Sequence, residues 1–306
     1  MSNIITLSDF AITARPVTYN AYGLEYERLP KFYEQVAKTR KMNGYIEEDV
    51  RLSSFGRMQR KLDGEAFVMD SMRQEYLTRY IAVEYALGAA VSRRMIEHGK
   101  GMDILAKIST ELANASVQER NHKVASIFNN AFDSAAQAMG DGAALCTTAA
   151  ANVSGLSGSN KLAVDADFSE AALETLTIQI TSEARNSRGE LIVLSPDMLV
   201  IHPSNQFEVA RILDSSLRAG TADNDKNVHL GELKKRAMSP LLSDSDAWFI
   251  LTNVNMGSEG LVVKEERPMT IDTEVDFKTS AVLVKGETSF TAGITDRLAV
   301  YGSSGG

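Results

Sequence analysis

The sequence predicts an α+β protein. Three observations predict it: a tight Asp-Gly turn between two β-prone arms, an apolar stripe at helical spacing over about thirty residues, and a strand-rich C-terminal stretch that follows alternating helix and strand patterns. Composition sets the frame. At 306 residues the chain has room for two moderate domains, or for one large domain with appendages. Its 44% hydrophobic and 24% charged residues are those of a packed globular chain. A net charge of −8 argues against a sequence-independent nucleic-acid binder held by phosphate contacts. One cysteine, Cys146, excludes a disulfide framework and a Cys-cluster metal site, and suits a reducing cytosol. The residues from Met1 to Leu7 lack the basic-then-apolar order of a signal peptide, and no run approaches the ~18–20 apolar residues that span a bilayer.

Residues 1–85 carry eight of the nine tyrosines, among them Tyr19, Tyr22 and Tyr26. Tyrosine joins a large apolar ring to a wet polar tip and is enriched where surfaces meet. One helix is expected here, from Pro30 to about Lys41 with Phe32, Tyr33, Val36 and Ala37 on one side; little periodicity surrounds it. Residues 46–85 read as a long hairpin. Val50, Leu52 and Met58 alternate with polar partners in the first arm. Glu65-Ala-Phe-Val-Met-Asp70 leads into the second arm, which runs to Tyr85, and Asp63-Gly64 makes the turn. Such a hairpin is marginal alone in water and needs a surface to lie on, its own domain or a neighbouring copy.

A short helical segment through Ile96 is interrupted at Gly99 and Gly101. A long helix then runs from about Met102 to Phe132, with Leu105, Ile108, Leu112, Val117, Val124 and Phe128 on its stripe and an almost wholly polar middle from Gln118 to Lys123. A Gly/Ser/Asn-rich connector, Asp141 to Asn160, follows. Asp167 and Glu170 are expected to cap a helix carrying Ala172, Leu176 and Ile180. Leu191–Leu194 and Met198–Ile201 read as short buried strands. Ser204 is expected to cap a helix whose face is Phe207, Ala210, Leu213 and Leu217, and Ala247–Thr252 reads as a further strand. The end of the chain offers strands at Leu261–Lys264, Ala281–Lys285, Phe290–Ile294 and Leu298–Tyr301, then a Gly-Ser tail expected to be flexible. Phe128, Phe132, Trp248 and Phe249 are the expected core.

No catalytic or metal-ligating pattern survives its spacing test. Glu119-Arg-Asn-His122 has the E-x-x-H form but lacks the second copy and extra glutamates of a di-iron bundle. Asp223-Asn-Asp-Lys-Asn227 starts like a calcium loop, yet has Val228 where Gly and Lys234 where Glu are required. Asn152 to Gly158 matches neither a nucleophile elbow nor a phosphate loop. His98, His122, His202 and His229 have no ligand-pair spacing, and Cys146 reads as a small buried hydrophobe. The expectation is a non-enzyme with no cofactor. Arg57, Arg60 and Lys61 at the hairpin tip are too few to grip nucleic acid. They read either as partners for acids on an adjacent subunit or as a solvated tip that protects an edge.

The order arm, long hairpin, spine helix, α/β region and returning strands resembles the major capsid protein of tailed phages, the Hong Kong ninety-seven-type fold. Several stretches resemble its Mu-type major head subunit group: Ser126-Ile-Phe-Asn-Asn-Ala-Phe132, Asp141-Gly-Ala-Ala-Leu145 followed by a polar segment ending in Asn160, Ser239-Pro-Leu-Leu through Ala247-Trp-Phe249, and Tyr301-Gly-Ser303. Thr147 and Thr148 stand where that group often has a histidine.

The resemblance implies residues 1–45 as an N-terminal arm and 46–85 as an extended β-hairpin loop. It implies 86–165 with 261–306 as a peripheral domain containing the spine helix, and 166–260 as an axial domain. It implies a self-assembling virion protein: pentamers and hexamers forming an icosahedral shell around double-stranded DNA, assembled in the host cytoplasm. Portal partners, and scaffolding or decoration proteins, would go with it, and no membrane. Tyr19, Tyr22, Tyr26, Arg57, Arg60, Lys61 and Phe67 are then the expected inter-subunit contacts, and removal of residues 1–45 should leave a folded but assembly-deficient subunit. An encapsulin-type compartment shares the fold and is the nearest alternative. A small α/β enzyme built on 166–260 is the alternative of another class.

Overall fold

In the computed structural model, which describes residues 7–98, 101–136, 139–148, 158–217, 226–257, 259–276 and 278–306, one long helix is shared between two four-stranded sheets, with a two-stranded hairpin beside them. In chain order the elements are α1 (Leu7–Arg28), α2 (Phe32–Val36), β1 (Lys38–Lys41), β2 (Ile46–Leu52), β3 (Gln74–Ile81), β4 (Val83–Val91), α3 (Arg93–Glu97), the spine α4 (Gly101–Asn129), α5 (Glu170–Ile178), β5 (Pro196–Ile201), α6 (Gln206–Leu213), β6 (Lys235–Met238), β7 (Trp248–Thr252), β8 (Leu261–Val275), β9 (Val282–Ile294) and β10 (Val300–Ser303). The Asn152–Gly158 segment lies, up to Ser157, outside the described residues, as do Asp223–Asp225 of the loop that starts like a calcium site.

The first sheet has the order β1-β8-β9-β4 and the second β10-β7-β5-β6. The three stretches expected as separate strands at 261–264, 281–285 and 290–294 are parts of just two, β8 and β9, paired antiparallel from Leu261↔Ile294 to Val275↔Val282. Tyr85 leaves the hairpin: it lies on β4, which pairs with β9. The last strand, β10, leaves the neighbourhood of β8 and β9 to pair with β7 in the second sheet, so residues 300–303 do not stay with the region to which the resemblance assigned them.

β7 shows how the two halves are fused. Trp248 to Thr252 are all buried, because the strand is covered on both faces. Phe249 and Leu251 join Phe128 and Val124 of α4, Phe32, Tyr33 and Val36, and Phe290 and Ile294 of β9 in the largest core. Trp248 and Ile250 point the other way, into a core with Leu173, Leu176 and Ile180, and with Val209 and Leu213 of α6. The Trp248 ring stands edge-on to Phe168, with centroids 5.3 Å apart, and its indole N–H donates to the Ala166 carbonyl at 3.0 Å. Phe128 is fully buried, and Phe132 is a half-buried plate stacked on Phe249 at 5.5 Å.

Several local expectations are corrected. The helix drawn over Pro30–Lys41 stops at Val36. Ala37 turns extended, and Lys38–Lys41 pair in parallel with Val262–Glu265, so long-range strand pairing overrides local helical periodicity. Before it lies α1, a 22-residue helix the sequence pattern did not announce, since it lacks a continuous apolar stripe and contains Pro16. Ser169, not Asp167, caps α5: its hydroxyl accepts from the Ala172 amide at 3.3 Å, while Asp167 accepts from Gly306 at 3.0 Å. Leu191–Leu194 is no strand; Leu191 makes a single bridge with Arg185 and closes a turn. Ser204 does not cap α6, whose N-cap is Asn205 without a side-chain cap bond; it lies in the preceding 3-10 turn, which His202 caps by taking the Ser204 amide at 3.2 Å. On α6 the inward face is Val209 and Leu213, and Phe207 is exposed. The C-terminal tail is held: Ser303 and Gly305 are buried.

Candidate assembly surface

The strands β2 and β3 pair antiparallel from Ile46↔Ile81 to Leu52↔Gln74, with a bulge between Arg51 and Leu52. Alternation puts the odd residues of β2 on one face and the even ones on the other. The charged face turns inward. Lys264, a buried lysine on β8, donates to Glu47 and Asp49, each at 2.7 Å, with its ammonium 4.0 Å from the centre of the Tyr80 ring. Arg51 pairs with Asp296 at 2.9 Å and with Glu259. On β3 the Tyr76 hydroxyl donates to the Thr295 carbonyl, and the Tyr80 hydroxyl bonds the Thr295 side chain, both at 2.7 Å. Burial and the neighbouring Asp296 push the Tyr76 phenol up to about 12, so it stays a donor at physiological pH. Gly140 lets its own segment reach the back of β3: a Cβ there would sit 1.9 Å from the Leu77 carbonyl oxygen. Its amide donates to Thr78 at 3.3 Å.

The apolar face turns outward. Ile46, Val50, Leu52 and Ile81 are exposed large hydrophobics, and beyond them the loop adds Phe55, Met58, Leu62, Phe67, Val68 and Met69. Met58 is as exposed as a free side chain (103%) and Phe67 is 70% exposed. Asp63 and Gly64 do form the turn, closed by the Glu65 amide on the Leu62 carbonyl at 3.2 Å. Beyond the bonds between Ser53 and Arg73, the arms on either side of it form no strand ladder. Arg57, Arg60, Lys61 and Phe67 are therefore gathered at one exposed tip.

The tyrosines do not sit there. Tyr22 is buried on its own chain, stacked on Tyr26 at 5.5 Å. Burial, against a bond from Ser116 on the spine, pushes its phenol up to about 12. The Tyr26 and Tyr33 hydroxyls bond at 2.6 Å, and the Tyr33 amide donates to Asn121 of α4 at 3.1 Å. Beneath them lies Arg120, buried in the polar middle of the spine. Its guanidinium donates to Glu265 at 2.6 Å, Ser116 at 2.5 Å and Thr288 at 3.1 Å, and lies over Phe290. Within the subunit α1 lies along its own α4, with Tyr22 buried in that contact and Tyr26 half-buried beside it, so these two rings already have partners on their own chain. Tyr19 alone of the three is turned to solvent.

Sequence reasoning missed Arg120, Lys264 and Arg188, a residue of the turn after α5 that touches the loop. A lysine inside the apolar run Leu261-Val-Val-Lys264 was a usable signal for the second; the other two act across long sequence distances and leave no local trace. Among the described residues, no group of three His, Cys, Asp or Glu side chains could hold a metal ion. No helix of the described residues is long and apolar enough to cross a membrane.

Comparison with known proteins gives both a fold and a family. The chain resembles the virus-like particle from Pyrococcus furiosus, at 11% identity over 94% of this chain and 98% of that one, with a TM-score of 0.52. It is similar to the capsid of the cyanophage P-SCSP1u (8% identity, 89% and 87% covered, TM-score 0.54) and to that of the Myoviridae phage XM1 (9%, 90% and 91%, 0.53). At such identities the likeness is one of fold. No curated protein matches the sequence. The model of the family described as phage capsid protein, however, matches residues 75–303, from β3 through β10, and so the chain belongs to the phage capsid protein family.

Proposed function

We propose that this protein is the major subunit of a phage head, which self-assembles as pentamers and hexamers into an icosahedral shell around double-stranded DNA. The observation that carries the reading is the inverted polarity of the hairpin. A strand pair that served only its own subunit would bury Ile46, Val50 and Leu52 and expose Glu47, Asp49 and Arg51; this one does the reverse. A second copy is the natural cover for the outward strip, and the strip is repeated on every copy. Contacts of this heterologous kind close into rings and shells instead of stopping at a dimer. Weak contacts made to several neighbours at once add through multivalency.

Residues 46–85 then form the extended loop, with 86–165 and most of 261–306 as the peripheral domain, 166–260 as the axial domain and 1–45 as the N-terminal arm, whose helix α1 lies along its own spine. Tyr19, Arg57, Arg60, Lys61 and Phe67 are the side chains we assign to contacts between subunits. The short motifs from Ser126 to Ser303 support the Mu-type head subunit group within the family. The net charge of −8 suits a container that must not adhere to the DNA packed within it. A portal, and scaffolding or decoration proteins, are the further partners of such a shell, which is assembled in the host cytoplasm and ends in the virion.

The test is direct. The purified chain, concentrated and viewed by negative-stain electron microscopy, should give closed shells with five- and six-fold clusters. A chain that remains a monomer or small oligomer at every concentration and salt tried overturns the reading. An encapsulin-type compartment would instead copurify with a protein cargo.

A further inference from the structure

Past Ser53 and Arg73, where the Ser53 amide donates to the Arg73 carbonyl at 2.8 Å and the Arg73 amide to the Ser53 hydroxyl at 2.9 Å, the two arms of the loop form no strand ladder of their own. A turn from far along the chain holds them instead. Residues 186–190, between α5 and β5, present Arg188 to both arms at once. Its Nε donates to the Ser54 carbonyl of the outgoing arm at 2.8 Å. Its Nη2 donates to Asp70 Oδ1 at 2.7 Å and to the Ser71 carbonyl at 2.9 Å on the returning arm. Two further bonds flank it: the Ser54 amide donates to Ser187 at 2.9 Å, and the Arg57 amide to Glu190 at 3.2 Å. Asp70 ties the arms together from the other side, its Oδ2 accepting the Gly56 amide at 2.9 Å.

The turn has bonds of its own that shape it. Asn186 Oδ1 accepts the amides of Arg188 at 2.9 Å and Glu190 at 3.0 Å, and Gly189 takes the left-handed φ of +82° that favours glycine. A planar guanidinium on a rigid turn spans two backbones in a way a flexible ammonium could not. The polarity of the arrangement matters most. Every one of these bonds goes to a backbone group or a polar side chain of the loop. Met58, Phe67, Val68 and Met69 take no part and stay exposed.

We propose that Arg188 is a clamp that pre-shapes the loop of residues 53–73 within the free subunit, so that its apolar side chains meet a second copy already ordered. The inference rests on the shell reading for its purpose and on the geometry alone for its existence. Ordering a loop in advance removes an entropy cost from association, so the clamp favours assembly.

Trypsin tests the clamp in the free subunit, because Arg57, Arg60 and Lys61 lie in the loop. With Arg188→Ala, cleavage at those three sites, followed by mass spectrometry, should rise about tenfold over wild type as the loop opens more often, with the melting temperature unchanged. Shell formation by the same variant should slow. Asp70→Asn, which weakens the clamp from the loop side, should move both readouts in the same direction by a smaller amount. Unchanged cleavage in both variants overturns the clamp. Faster cleavage with equal or faster assembly overturns its role in favouring assembly. Wild-type protein that never assembles sinks the shell reading instead, while the cleavage arm still reports on the clamp.

Discussion

His229 holds a position that only its surroundings explain. It is nearly buried, with Nδ1 2.7 Å from Glu232 and Nε2 3.3 Å from Glu174 of α5. Two carboxylates, one at each ring nitrogen, are both satisfied only when both nitrogens carry protons. Burial pushes the imidazole pKa down, but the bonds and charges of Glu232 and Glu174 outweigh it and hold it above the ordinary histidine value of 6.5. A folded-state pKa raised above the unfolded one stabilises fully below the unfolded value, and that stability is lost as pH rises through the folded one. Wild-type stability should therefore fall as pH climbs from about 6 upward through that raised pKa, and His229→Gln should flatten that part of the profile in thermal melts. Lys264 gives a second test. Lys264→Ala leaves Glu47 and Asp49 facing a dry site without their cation. Since both acids keep partial access to water, the loss should be about 1–3 kcal/mol in chemical denaturation. Trp248→Ala removes the largest fully buried side chain and should cost about 3–5 kcal/mol, with unfolding still cooperative. Trp248 was legible because an apolar run as dense as Ala247-Trp-Phe-Ile-Leu can only be interior. Lys264 left only the trace of a cation in an apolar run, since its acids lie far away in the chain, and the burial of His229 between Glu232 and Glu174 depends on α5, 55 residues earlier.

Elements were legible where their own periodicity decides them. The spine helix is read from its apolar stripe to within a few residues, Gly101–Asn129 against Met102–Phe132, and the hairpin from its Asp-Gly turn. Elements decided by pairing were not. β1 looked helical because Phe32, Tyr33 and Val36 are spaced for a helix, which is true only of α2. The outward direction of the hairpin's apolar face was beyond reach, since alternation tells which residues share a face and not which way that face turns. The N-terminal segment makes this concrete. Removal of residues 1–45 was expected to spare the fold, but the structure reverses that. Phe32, Tyr33 and Val36 belong to the largest core, β1 completes the first sheet, and the Asn255 side chain donates to the Val36 carbonyl at 2.8 Å. The truncated chain should be insoluble or protease-sensitive throughout, whereas removal of residues 1–28 alone should leave far-ultraviolet circular dichroism close to native apart from the lost helix. If the longer truncation melts like the full chain, the assignment of residues 32–41 to the core is wrong.

Over the whole molecule, the subunit separates what holds it together from what it offers. Its interior is continuous: Phe249 and Leu251 face one core and Trp248 and Ile250 the other, so the two sheets cannot come apart without opening β7. Its outward apolar strip is held from behind by ion pairs and by the small cluster of Tyr80 with Met42, Ala82 and Val262, which lets β2 and β3 keep their aim with their hydrophobic face uncovered. The two sets of side chains should therefore be separable by mutation. Val50→Lys combined with Leu52→Lys changes two exposed positions that touch nothing within the subunit's core, so the melting temperature should stay within a few degrees of wild type, as surface changes usually shift stability by less than about 0.5 kcal/mol each. On the proposed reading, the same positions lie against a neighbour in a shell. Burying a valine or leucine there is worth about 1.5–3 kcal/mol, roughly tenfold or more in association for each contact, and each subunit makes the contact twice, once as giver and once as receiver. The double variant should thus be a well-folded, soluble subunit that forms no closed shells by electron microscopy at concentrations where wild type assembles completely. Shells formed as readily as by wild type would mean that this strip faces solvent in the particle and that another surface drives assembly.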